Sequence, residues 1–255
     1  MIKIRIIRGL YLISSCLLAL NLCAQREYGD FYLRKETYEH NLPMLRDQFG
    51  GNKTFPAELE LECLVALSFY PELKNTSIEF RFGKSNFTMT SKPKFRSILE
   101  ARQQRQYVIT IEKSGSSKNN IEWTELSFNA MVGWIGHELG HIVHYSHKTN
   151  SGIALIGVKY ALPGYRRKME RFTDQIAIQH DLGYALYEGV DYTMNRSHAT
   201  THYKTSQQKY YLQPDEIIDR IHSGQTWSAL FRKTKMTPSA PPIKITEMNI
   251  PGLSL

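Results

Sequence analysis

Cysteine is scarce in this chain, which excludes the two structural roles that cysteine most often has. The 255 residues include Cys16, Cys23 and Cys63. The first two lie in an apolar N-terminal segment whose removal is predicted below, so that only Cys63 would remain. A single cysteine forms no internal disulfide and builds no cysteine-ligated zinc site. The fold must therefore depend on its apolar core and on any metal that other residue types bind.

Long apolar runs are also rare, and the single clear one covers residues 10–22. Its 13 residues are fewer than the roughly 20 that a membrane-spanning helix needs. A short basic stretch precedes the run and Ala24 follows it, a pattern typical of a secretory signal peptide. We predict a signal peptide over residues 1–24, no transmembrane anchor after cleavage, and export to a bacterial periplasm or the extracellular space. A buried helix, an uncleaved anchor, or acylation at Cys16 or Cys23 are the alternatives.

The chain lacks a dense basic stripe interleaved with aromatic residues. It carries 32 Lys and Arg against 24 Asp and Glu, a net charge of +8. Removal of residues 1–24 would take away three basic residues and no acidic one, which leaves a net charge of +5. Such a mild, dispersed excess argues against a nucleic-acid partner.

The hydrophobic periodicity of the rest of the chain predicts a mixed α+β fold. Apolar residues spaced three and four apart indicate helices, and alternation indicates strands. Residues 151–164 contain several Gly and Pro residues, so we predict a connection there. The predicted elements are a helix over 54–70, strands over 78–82, 87–89 and 107–112, helices over 124–147 and 165–187, and a short helix from 214.

This order predicts one main domain over residues 56–235. A mixed, polar N-terminal extension over residues 25–55 precedes it. A proline-containing, irregular tail over residues 236–255 follows it.

The predicted helix over 124–147 contains the motif His137-Glu138-Leu139-Gly140-His141. Residues four apart share a helix face, so both imidazoles can reach one metal ion from the same side. The intervening Glu138 is offset by one residue, beside the ion. A zinc ion activates water, and a neighbouring carboxylate can take the proton as that water attacks a peptide carbonyl. The motif therefore predicts zinc ligation by two histidines, with Glu138 as general base.

A catalytic zinc site usually has a third protein ligand, and two candidates compete for that place. Glu170 lies one helical turn before Asp174 on the next helix, where Asp174 could hold the free N–H of a histidine. His147 also fits a longer histidine spacing, except that His144 stands where that pattern requires a glycine to end the helix. The spacing favours Glu170 and leaves His147 as the alternative.

At these residues the chain resembles the gluzincins, zinc peptidases with two histidines on one helix and a glutamate on a later one. The pair of motifs, His137 to His141 and then Glu170-Arg-Phe-Thr-Asp174, is similar to the family of CAAX prenyl proteases and heat-shock membrane peptidases. The chain has no transmembrane helices of that family and looks more like the soluble minigluzincins over residues 56–222. Thr173 stands where the family usually has alanine.

The resemblance implies a zincin-like fold, in which a small, mostly antiparallel sheet packs on the active-site helix, a glutamate helix and further helices. It implies one Zn²⁺ per chain and a peptide or protein substrate. It also implies the ligands His137, His141 and Glu170 and the base Glu138. Asp174 would not touch the metal but would hold the free N–H of a histidine ligand. A strand should border the cleft and pair with extended substrate. Residues 107–112 are our candidate for that edge, and an ordinary internal strand is the alternative for them.

Peptidases of this kind also need a donor for the oxyanion that forms during hydrolysis. Spacing does not distinguish among the five candidates that follow the glutamate helix: His198, His202, Tyr203, Tyr210 and Tyr211.

Three other interpretations compete with an active peptidase. The first is a non-catalytic zincin-fold module that binds zinc for stability or for a partner, although such a module needs no Glu138. The second is a metzincin-like peptidase with His147 as third ligand. The third is a zymogen whose cleft is covered by residues 25–55 or by the C-terminal tail.

Overall fold

A computed structural model of the chain describes residues 32–85, 87–113 and 119–223. The predicted signal peptide over 1–24 and the predicted tail over 236–255 lie outside the described residues. From residue 33 onward, the described part of the chain belongs to one compact unit.

Part of the predicted N-terminal extension contributes to the main core. It forms two short helices and a strand of two residues, α1 (Lys35–Glu39), α2 (Leu42–Phe49) and β1 (Lys53–Thr54). The buried side chains of Tyr38, Leu45 and Phe49 join the largest apolar cluster of the molecule. The described residues of this segment therefore pack within the compact unit, and they do not line the large cleft described below.

The sheet has four strands within the described residues, in the order β1-β2-β4-β3. The longer strands are β2 (Ser77–Gly83), β3 (Met89–Pro93) and β4 (Gln106–Glu112). β2 pairs in parallel with both β1 and β4, and only β3 is antiparallel to its neighbour. The expectation of a mostly antiparallel sheet was therefore wrong.

Burial explains this order, and it also corrects the expected edge strand. Every residue of β4 after Gln106 is buried, so this strand takes an internal position. β3 is shorter, carries Ser91 and Lys92, and ends at Pro93, features that suit a sheet edge. Residues 107–112 are thus part of an internal strand, and the edge strands of the described sheet are β3 and the two-residue β1.

The described residues also form seven longer helices. They are α3 (Glu60–Ser68), α4 (Phe128–Ser146), α5 (Asn150–Lys159), α6 (Pro163–Ala177), α7 (Gly183–Asp191), α8 (Thr201–Tyr210) and α9 (Pro214–His222). Within the described parts of the chain, no helix is long and apolar enough to span a bilayer.

Two helix predictions were wrong in detail. Residues 151–164 are mostly helical, because Thr149 caps α5 by accepting a hydrogen bond from the Gly152 N–H. The predicted single helix over 165–187 is broken between α6 and α7 over Ile178–Leu182, where Asp181 has a φ of 60°. The break lets α7 leave the direction of α6 and pack along α4.

Helix α4 lies at the centre of the fold and contacts α3, α6, α7 and β3. Ser127 caps its first turn by accepting a hydrogen bond from the Ala130 N–H. The Tyr70 hydroxyl donates to the Gly136 carbonyl at 2.6 Å, next to the first motif histidine. These contacts fix the position of α4 along its axis, and therefore the position of His137 and His141 relative to β3.

Candidate metal centre

The two motif histidines lie one turn apart in the middle of α4, on the side of the helix that faces α6. His137 and His141 are both buried, and their rings meet edge to face with centroids 4.9 Å apart. The following residues, Ile142 and Val143, are fully buried in the core, so the helix is anchored directly after the motif. A rigid helix therefore holds both imidazoles on one side, as the sequence predicted.

Helix α6 brings Glu170 to the same point. One of its carboxylate oxygens, Oε2, lies 3.2 Å from Nε2 of His137 and 3.2 Å from Nε2 of His141. Glu170 is 1% exposed, and one ligand atom from each of the three residues lies within 4.8 Å of the others. The three residues thus form a compact, buried cluster able to hold a metal ion.

The separations in this cluster fit a small tetrahedral ion. Ligands about 2.0–2.2 Å from zinc in tetrahedral geometry lie roughly 3.3–3.6 Å from each other. The two 3.2 Å distances around Glu170 agree with that spacing. Two imidazole nitrogens and one carboxylate oxygen are also a donor set that catalytic zinc sites use.

The other nitrogen of each histidine is occupied by a side chain from α6. Nδ1 of His137 lies 2.8 Å from Oδ1 of Asp174, and Nδ1 of His141 lies 3.2 Å from Oγ1 of Thr173. These partners fix the ring orientations and direct both Nε2 atoms toward Glu170. Asp174 takes the place expected of it, and Thr173 has a contact that an alanine would lack.

The charges of the cluster reinforce one another. Burial alone would lower the pKa of His137, but its contacts with Asp174 and Glu170 outweigh burial and hold that pKa well above its ordinary value. Burial alone would raise the pKa of Glu170, yet the facing His141 and His137 lower it. Two carboxylates therefore face two imidazoles, which is an arrangement that favours a bound cation.

Glu138 lies beside the cluster and outside it. Its side chain is buried, and its Oε2 atom has no hydrogen-bond partner within the described structure. The residue lines a cleft of about 920 Å³, together with His141 and Glu170. A smaller cavity of about 60 Å³ reaches Glu138 from the side of His137. Glu138 thus borders both cavities next to the predicted ligands, and one of its carboxylate oxygens is buried without a partner among the described residues.

Tyr160 is a site residue that sequence reasoning missed. It directly follows α5, and its hydroxyl donates to Oε1 of Glu170, the oxygen that does not face the histidines. Burial raises the pKa of Tyr160, and the charge of Glu170 raises it further, so the phenol stays protonated. The segment was interpreted as a connection, and no motif spacing distinguished this tyrosine from its neighbours.

Of the five predicted oxyanion donors, one lies at the site, two make other contacts and two are exposed. Tyr211 lies at the site, with its ring centroid 5.6 Å from that of His137, and it borders both cavities. The Tyr203 hydroxyl is hydrogen-bonded to Thr88 at 2.8 Å, and Tyr210 packs against the Arg166 guanidinium. The remaining two, His198 and His202, are exposed.

The alternative third ligand, His147, is exposed and caps the C-terminal end of α4. It is not one of the three residues of the buried cluster. His144, which stands at the glycine position of the longer pattern, is helical, so α4 does not turn toward the site at that point.

No model of a known protein family matches this chain, and neither does any curated protein or any solved structure.

Proposed function

We propose that the protein is a zinc-dependent peptidase of the gluzincin type. One observation carries the proposal: Glu138 lines the cleft together with His141 and Glu170 of the cluster, and its buried Oε2 atom has no hydrogen-bond partner within the described structure. A cluster that only stabilised the fold would have no use for a buried carboxylate without a partner, since such a group costs free energy. We further propose that the protein is exported, as the N-terminal pattern predicts.

Zinc is the metal that best suits this donor set. His137, His141 and Glu170 would hold it, next to the cleft that His141 and Glu170 line. When bound, the ion would supply Lewis acidity toward a peptide carbonyl and toward water. Mg²⁺ and Ca²⁺ prefer sites built from oxygen ligands alone, so two imidazole nitrogens disfavour them.

Glu138 would act as the general base. Its free carboxylate oxygen would accept a proton from a water molecule in the cleft and deliver it to the leaving amine. Tyr160 and Tyr211 carry hydroxyls on the wall of the same cleft, and both would donate to the oxyanion of the reacting carbonyl. To do so, Tyr160 would exchange its hydrogen bond to Glu170 for one to the substrate.

The edge strand β3 would bind the substrate in an extended form. Residues 89–93 line the cleft opposite α5, and β3 also contacts α4, which carries the motif. Within the described sheet β3 pairs with β4 alone, so its other side would pair with the peptide backbone, which is the usual basis of β-strand addition. The wall is mostly apolar, with Phe87, Ile98 and Ile153 among its residues, so apolar side chains in the substrate are favoured.

A cleavage assay separates this proposal from a non-catalytic zinc module. The protein would be incubated with a mixed peptide library, and cleavage would be compared between the wild type and Glu138→Gln. We expect cleavage by the wild type only, with equal zinc content in both proteins. Glu62→Gln is a matched control, because Glu62 is a buried glutamate on α3, remote from the cleft residues. Zinc in both proteins without cleavage by the wild type would favour the module.

A further inference from the structure

The exposed apolar side chains of the described residues are concentrated around the cleft. Five of the six large ones occur in two places, and the sixth is Tyr32. Phe95 and Leu99 are 87% and 85% exposed on the segment that follows β3. The others, Leu155, Val158 and Leu162, lie on α5 or just after it.

These two places adjoin each other. The segment Phe95–Leu99 contacts helix α5, and both border the same cleft. Phe95 and Ile98 line it from one side, and Ile153 and Ile156 line it from the other. Their exposed neighbours therefore form an apolar rim, which we define as Phe95, Leu99, Leu155, Val158 and Leu162.

Helix α5 is apolar on both of its faces. Ile153 and Ile156 are buried, whereas Leu155 and Val158 on the opposite face are exposed. Lys159 is the only charged residue between positions 150 and 162. A surface helix in water normally carries charges on its outer face, so the outer face of α5 is suited to an apolar environment.

The basic excess of the chain is concentrated in the same two stretches. Residues 92–105 and 148–169 hold ten of the 32 Lys and Arg residues and only one of the 24 Asp and Glu residues. The rest of the chain has 22 basic and 23 acidic residues, so it is almost neutral. Six of the ten basic side chains are exposed and have no ion pair within the described structure: Lys92, Arg96, Arg102, Lys159, Arg167 and Lys168.

We infer that the apolar rim docks onto the surface of an anionic phospholipid bilayer. Large apolar side chains insert at the boundary between headgroups and acyl chains, while flanking Lys and Arg bind anionic headgroups. A bilayer matches both features of this surface, the apolar rim and the positive charge around it. The inference does not depend on peptidase activity, because it rests on the surface around the cleft.

A local fluorescence measurement tests the inference on the full-length chain. Cys16 and Cys23 would be changed to serine, which leaves the buried Cys63 as the one native thiol. An environment-sensitive fluorophore would then be attached through Leu155→Cys, and in a second protein through Asp47→Cys on α2, which does not line the cleft. The label reports its own surroundings, so vesicle attachment through another segment would not produce the signal.

We expect the emission of the label at position 155 to shift to the blue with vesicles of phosphatidylglycerol and phosphatidylcholine. Phosphatidylcholine vesicles alone should produce no shift, and the label at position 47 should respond to neither. Combining Arg96→Gln, Lys159→Gln and Arg167→Gln should weaken vesicle binding about 100-fold, because each basic residue near an anionic surface contributes about 1 kcal/mol. Exposed residues were chosen so that folding is preserved.

Three results would overturn the inference. One is an unchanged emission at position 155 with anionic vesicles at low salt. Another is an equal shift with neutral vesicles. The third is a blue shift without any lipid that grows with protein concentration, which would assign the rim to contact with a second copy of the chain.

Discussion

Asp174 contacts His137 through one carboxylate oxygen and the backbone of Leu212, which follows helix α8, through the other. Its Oδ1 lies 2.8 Å from Nδ1 of His137, and its Oδ2 accepts a hydrogen bond from the Leu212 N–H at 2.8 Å. Leu212 is fully buried and directly follows Tyr211. One buried carboxylate thus fixes a predicted metal ligand and the segment that carries a predicted oxyanion donor.

Asp174→Asn should therefore weaken metal binding without abolishing it. An amide group attracts the His137 N–H less strongly than a carboxylate does and presents only one acceptor oxygen. Loss of such a partner typically lowers metal affinity about 10- to 100-fold. Competition with a zinc chelator would measure the change. Asp219→Asn, at an exposed position of α9, is the control and should bind metal as the wild type does.

Tyr160→Phe should lower kcat of the proposed peptidase by about 100-fold, the usual effect of removing one oxyanion donor. The ring remains, so the wall of the cleft keeps its shape, and zinc content should not change. Tyr210→Phe is the matched control, because it retains the ring that packs on Arg166. Wild-type kcat in Tyr160→Phe would assign the oxyanion role to Tyr211.

His144 makes the fold sensitive to acid. Burial lowers its pKa from the ordinary 6.5 to about 3, with a smaller contribution from the charge of Lys148. The unfolded chain therefore takes up a proton below pH 6.5, while the folded chain does so only near pH 3. The stability that depends on neutral His144 is complete above pH 6.5 and is lost as the pH falls toward 3.

His144→Phe should reduce this acid sensitivity. The replacement ring fits beside Phe172, which already meets the imidazole edge to face. Urea unfolding at pH 7 and pH 5 should show a smaller loss of stability in the variant than in the wild type. His198→Phe, at an exposed position, should leave the difference unchanged. An equal loss in wild type and His144→Phe would refute this assignment.

Two helix glycines should respond in opposite directions to alanine. A Cβ atom at Gly133 on α4 would lie 2.3 Å from the carbonyl carbon and oxygen of Ala185, so α4 and α7 would have to separate. We expect Gly133→Ala to cost about 2–3 kcal/mol of unfolding free energy. No atom of the described residues lies within 4 Å of a Cβ at Gly157 on α5, so Gly157→Ala should stabilise by about 0.5–1 kcal/mol. Thermal and urea unfolding of both variants would test the pair.

The cluster was predictable because its residues repeat at helical spacing on two helices. His137 and His141 lie four apart on α4, and Glu170 and Asp174 lie four apart on α6. Such patterns are local, and they fix which side chains share a face. What spacing alone left open was whether Glu170 or His147 would meet the histidines. That depends on how α6 packs against α4, and the buried cluster contains Glu170.

The sheet and α5 were harder to predict, for physical reasons. Strand order depends on which strand the helices bury most completely, and the sequence of one strand does not show how completely it will be buried. Helix α5 has apolar residues on both faces, so it lacks the periodicity that reveals a helix, and Gly152 and Gly157 suggested a loop. The break at Asp181 needs a positive φ at a residue other than glycine, which sequence does not indicate. Tyr160 was missed because the segment that contains it, α5 and the residues after it, was predicted to be a connection.

We propose that His137, His141 and Glu170 bind one zinc ion. The most direct measurement is the metal content of the purified protein by mass spectrometry, for the wild type beside Glu170→Ala and His147→Ala. We expect one zinc per chain in the wild type and in His147→Ala, and a large loss in Glu170→Ala. Full zinc in Glu170→Ala, or a folded wild-type protein that takes up none, would contradict it.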